Sequence, residues 1–65
     1  MYIFKDKYVF KKYNKTQCAK IIGLNPATLI RITNGTQSCS KLVAYCITKF
    51  LNSDAEIEDY FTQED

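Results

Sequence analysis

Apolar positions along the chain come in short bursts at helical spacing, set apart by Gly23 and Gly35. Cys18, Ala19, Ile21 and Ile22 form one burst behind Asn14-Lys15-Thr16-Gln17. Asn is a strong N-cap, and a Gln three residues on can reach back to the cap's N–H, so the run resembles a capping box. Gly23 stands where a helix takes its left-handed terminal residue, and the pattern predicts a helix over Lys15–Ile22. Asn25 then caps a second helix with Pro26 at its first position, where the missing N–H costs nothing. Leu29 and Ile32 face one side of it and Thr28 and Arg31 the other, and Asn34-Gly35 ends it, so it spans Pro26–Thr33.

Ser38 or Ser40 can cap a third helix ending near Leu51-Asn52. Its predicted buried stripe is Leu42, Cys46 and Phe50 with Val43 and Ile47. Ser53 or Asp54 opens a last short helix through Phe61, with an acidic first turn that suits the helix dipole and with Ile57, Tyr60 and Phe61 as its apolar face. Near the N-terminus, Asp6 can cap a helix over residues 7–13 with Val9, Phe10 and Tyr13 inward. Tyr2-Ile3-Phe4 and Tyr8-Val9-Phe10 also fit a small hairpin around Lys5-Asp6-Lys7. The helix is the preferred reading, with the first residues extended and packing an aromatic onto the core.

Composition narrows the function more than the fold. The 65 residues allow one domain at most, and an apolar share of 46% with 25% charged is ordinary for a globular chain. A chain of this size buries only about 60% of its unfolded surface. That leaves little room for a pocket of roughly 300–1,000 Å³, so no small-molecule substrate is expected. No apolar run approaches the ~18 residues of a membrane span. Met1-Tyr2-Ile3-Phe4-Lys5-Asp6-Lys7 does not have the form of a secretory signal, so the expected compartment is the cytoplasm.

The sequence has no histidine, which removes the commonest general base and metal ligand. Three cysteines, Cys18, Cys39 and Cys46, make no closed disulfide set and no C-x-x-C pair for zinc. They read as small apolar fillers, with a redox-sensing role for Cys39 left open. Neither cofactor nor metal is expected. Charge is divided unevenly. Residues 1–51 carry all nine Lys and Arg against the single acid Asp6, a net +8, whereas residues 52–65 carry six acids and no base. A basic body suggests a polyanionic partner; the plain alternative is a solvated surface with a solubilising tail.

The run from Asn14 to Gly35, two short helices about a glycine turn, has the layout of a helix-turn-helix. With Ala19, Gly23, Asn25, Leu29, Ile32, Asn34 and Gly35 at their places, it resembles the DNA-binding domain of phage Cro and repressor proteins, the XRE type. The resemblance covers roughly residues 6–61. Lys15 stands where the family usually has Gln, and Cys18 where it has Leu. The implied fold is all-α, a lambda-repressor-like bundle of about five short helices. The implied function is sequence-specific binding of double-stranded DNA by a small phage or bacterial regulator. Carried over by position, Asn25, Pro26, Ala27, Thr28 and Arg31 would meet base edges. Arg31 can fork onto guanine O6 and N7, and Pro26 and Ala27 offer only apolar contact, most naturally to a thymine methyl. Asn14, Lys15, Gln17, Asn34, Thr36, Ser38, Ser40 and Lys41 would meet phosphates.

So few base contacts imply a homodimer on a palindromic operator, and Ile57, Tyr60 and Phe61 are the candidate dimer surface unless they simply close the core. A competing reading keeps the scaffold as a protein-interaction module, an inhibitor or antitoxin-like adaptor. Catalysis is disfavoured, because His, clustered carboxylates in the basic body and a Gly-rich phosphate loop are all missing.

Overall fold

A computed structural model describes residues 1–64. The order is β1 (Tyr2–Phe4), a 3-10 helix (Lys7–Lys12), α1 (Lys15–Ile22), α2 (Pro26–Thr33), α3 (Lys41–Leu51), α4 (Ile57–Tyr60) and β2 (Phe61–Gln63). These five short helices form a small, mostly helical bundle. No helix among the described residues is long and apolar enough to cross a membrane.

The helix expected at the N-terminus is a 3-10 helix and stops at Lys12. Asp6 caps it by accepting from the Tyr8 N–H at 2.9 Å. Val9 N–H donates to the Asp6 carbonyl and Tyr13 N–H to the Phe10 carbonyl, the tighter i→i+3 pattern of short helices. Phe10 is buried as expected, but Tyr13 lies beyond the helix and is exposed. The local hairpin does not form. β1 instead pairs antiparallel with β2, joining Tyr2 to Gln63, Ile3 to Thr62 and Phe4 to Phe61. On its other edge Tyr2 exchanges N–H and carbonyl bonds with Cys39 at 2.8 and 2.9 Å. Phe4 meets the Phe61 ring edge-on at 5.1 Å and Phe10 at 5.6 Å, and this aromatic contact is what draws the two ends of the chain together.

The last helix is one turn, not the eight residues expected over 54–61, and neither Ser53 nor Asp54 caps it. Asn52 closes a turn instead, its side chain accepting from the Asp54 N–H at 3.0 Å and its carbonyl from the Ala55 N–H at 3.0 Å. Lys49 Nζ donates to the carbonyls of Ser53 and Ala55 at 3.2 and 2.8 Å, which holds that segment out of a helix. Glu56 starts the helix, its N–H donating to the Asp59 carboxylate at 2.9 Å. Ile57 and Phe61 are 9% and 2% exposed, and Tyr60 is half-buried, parallel to the Phe4 ring at 6.4 Å. These three close the core and form no exposed patch, so the candidate dimer surface is not there.

On α3 the buried stripe is turned from the predicted one. Leu42 is 72% exposed, and Ala44, Ile47 and Thr48 face inward, with Val43, Cys46, Phe50 and Leu51 half-buried. Small Ala44 on α3 and buried Cys18 and Ala19 on α1 belong to one core cluster with Leu29, Ile32 and Ile47, where large side chains would hold the helices apart.

Two buried threonines differ in one respect. Thr33 Oγ1 donates to the Leu29 carbonyl at 2.9 Å, whereas Thr48 Oγ1 is buried without a partner. Thr48→Val removes that unpaired hydroxyl and should stabilise the fold by about 1–2 kcal/mol. The thermal midpoint should rise by roughly 4–8 °C per kcal/mol; a fall would mean that the hydroxyl is satisfied in solution.

Burial also sets the cysteine chemistry. It pushes the Cys18 thiol from 9.0 up to about 11, and the Cys39 thiol to about 11 against a small opposing pull from the N-terminal ammonium. Both thiols are therefore protonated and inert near neutrality, which argues against redox sensing at Cys39. A thiol that ionises near 9 when unfolded and near 11 when folded favours the unfolded chain once pH exceeds 9. The contribution of these thiols to stability should be constant below pH 9 and decline from 9 through 11. Urea midpoints across that window should fall less steeply for Cys39→Ala than for the wild type; equal slopes would contradict this assignment.

Candidate nucleic-acid interface

α1 begins as its sequence suggests: Asn14 Oδ1 accepts from the Gln17 N–H at 3.1 Å. The return bond of a capping box is not formed, which leaves the Gln17 amide in solvent. Asn14, Thr16, Gln17 and Lys20 line a shallow open pocket of about 280 Å³ at this helix start. Thr16 and Lys20 were not among the expected phosphate ligands. The helix ends at Gly23, whose φ of +79° is the left-handed region that a Cβ opposes. Leu24 N–H then donates to the Ala19 carbonyl at 2.7 Å, and the chain turns sharply into Asn25.

Asn25 caps α2 by accepting from the Ala27 N–H at 2.8 Å, with Pro26 opening the helix. Leu29 and Ile32 are 0% and 2% exposed, and Thr33 is buried beside them. The outward side carries Asn25, Pro26, Ala27, Ile30 and Arg31, all exposed, with Thr28 half-buried. The expected base-reading residues thus share the solvent side of one helix. Ile30 joins them, one turn from Ala27; the helical step that puts Leu29 and Ile32 inward also turns Ile30 off that face, a signal the spacing carries although its aliphatic side chain suggests core.

Arg31 has two neutral partners. Its Nε–H donates to Gln37 Oε1 at 3.0 Å, and Nη2 donates to Thr28 Oγ1 at 3.4 Å. Its charge is therefore oriented but not neutralised by them. Gln37, half-buried in the loop after α2, was not foreseen, since nothing in its local pattern announces this contact.

The remaining phosphate candidates divide. Asn34, Ser40 and Lys41 are exposed, and Lys15 and Ser38 are half-buried. Ser40 Oγ caps α3 by accepting from the Val43 N–H at 3.3 Å, which leaves its own O–H to donate. Thr36, exposed, is engaged within the loop: its N–H and its hydroxyl both donate to the Arg31 carbonyl, at 3.1 and 2.9 Å. Other cations are partly engaged, with Lys7 and Lys11 lying 5.5 and 5.1 Å from the Tyr8 ring centre and Lys49 held by loop carbonyls. Among the described residues no group of three or more Cys, Asp or Glu is placed to hold a metal ion. Neither protein-family models, nor curated proteins, nor solved structures yield a match to this chain.

Proposed function

We propose that this chain is a sequence-specific double-stranded DNA-binding protein, a small helix-turn-helix regulator of phage or bacterial type that lays α2 in the major groove. One observation carries the reading: Leu29 and Ile32 are sealed inside while Asn25, Pro26, Ala27, Thr28 and Arg31 share the outer side of the same helix. A groove about 12 Å wide accepts such a helix. Arg31 reads guanine, Thr28 donates to a base or phosphate, and Pro26, Ala27 and Ile30 offer apolar contact to thymine methyls.

Asn14, Lys15, Gln17 and Lys20 at α1, together with Asn34, Ser38, Ser40 and Lys41 around the start of α3, take the flanking phosphates. The net +8 of residues 1–51 supplies the long-range attraction. A single α2 presents few base contacts, so the working unit is a homodimer on a palindrome, acting in the cytoplasm.

The test is selection from a random duplex library, followed by affinity measurement over a range of salt. Enrichment of a palindrome is expected, with affinity falling steeply as salt rises. Arg31→Ala should fold normally and lose about 5- to 150-fold in affinity for the selected duplex, the worth of one bidentate base contact. Binding that ignores both salt and sequence would instead favour a protein-interaction module on this scaffold.

A further inference from the structure

We infer that Gln37 is a positioning residue that holds the Arg31 guanidinium end-on for guanine; the inference rests on the DNA-binding reading above. The geometry starts at Gly35, which takes φ +79° at the end of α2. With that conformation Gly35 N–H donates to the Ile32 carbonyl at 3.0 Å and Thr36 N–H to the Arg31 carbonyl at 3.1 Å, a paired helix-ending motif. Thr36 Oγ1 adds a second bond to the same Arg31 carbonyl at 2.9 Å. Two residues past Gln37, Cys39 is bonded in both directions to Tyr2 of β1. Gln37 therefore sits between two backbone anchors, half-buried, with its amide oxygen 3.0 Å from Arg31 Nε.

The consequence is a choice of donors. A guanidinium can offer its side edge, Nε with Nη2, or its end edge, Nη1 with Nη2. Here the side edge is turned to Gln37 and Thr28. Both hydrogens of Nη1 and one of Nη2 remain, and these match the O6 and N7 acceptors of guanine. A long exposed side chain held this way loses less freedom on binding than an unrestrained one. Gln37 would then sharpen base choice without itself touching the base that Arg31 reads.

The experiment compares wild type, Arg31→Ala, Gln37→Met and Gln37→Glu by random-duplex selection, with affinities for the selected duplex, for the same duplex altered at the Arg31-dependent position, and for an unrelated duplex. Met keeps the length of Gln but has no strong acceptor; Glu keeps the acceptor. The wild type should enrich a guanine in each half-site that Arg31→Ala no longer prefers. Gln37→Met should lose about 3- to 10-fold of discrimination at that position, with its unfolding midpoint and its affinity for the unrelated duplex unchanged. Gln37→Glu should retain the discrimination, and adding Gln37→Met to Arg31→Ala should lose nothing more. Full discrimination in Gln37→Met, or equal loss in Gln37→Glu, overturns the role of Gln37 and leaves the DNA reading standing. A wild type that selects no sequence overturns both.

Discussion

Leu29 and Ile32 lie at 0% and 2% exposure on one side of an eight-residue helix, and the use of that helix depends on their burial. Two turns of helix are too short to be stable alone in water. What holds α2 is the transfer of these side chains into the core, each worth roughly 1.5–3 kcal/mol. Because they sit at i and i+3, their burial also fixes the rotation of the helix about its axis. Arg31, adjacent to Ile32 in sequence, is turned about 100° away and so stays in solvent. The same contacts that stabilise the fold decide which residues are offered outward.

The rest of the bundle supports that arrangement from the far end. Phe4, Phe10 and Phe61 form an aromatic centre, and the β1–β2 pairing clasps the two ends of the chain around it. β1 also bonds Cys39, so the loop leaving α2 is tied to the same clasp. The acidic residues 52–64 contribute Ala55, Ile57 and Phe61 to the core while their carboxylates stay exposed. This segment is structural closure, and it leaves the outer side of α2 uncovered.

Local features were legible in the sequence and long-range ones were not. The caps at Asn14 and Asn25, the left-handed Gly23 and the bounds of α1 and α2 follow from a few neighbouring residues, and the structure reproduces them. The pairing of Tyr2–Phe4 with Phe61–Gln63 joins segments almost a chain length apart, and no local pattern specifies it. The short α4 has the same origin: Lys49, on another helix, takes the carbonyls that a longer helix would need. On α3 several apolar stripes compete, and packing against α1 and α4 picks Ala44 and Thr48 over Leu42. The Gln37 contact and the bond from the Thr36 hydroxyl to the Arg31 carbonyl depend on how the loop after α2 folds, a side-chain outcome invisible to spacing.

The most direct measurement is a map of backbone amide shifts as a selected DNA duplex is added to the isotope-labelled protein. The largest changes are expected at residues 14–20, 25–31 and 34–41, with residues 52–64 nearly still. Changes confined to residues 52–64, with α2 unmoved, would contradict the DNA-binding reading.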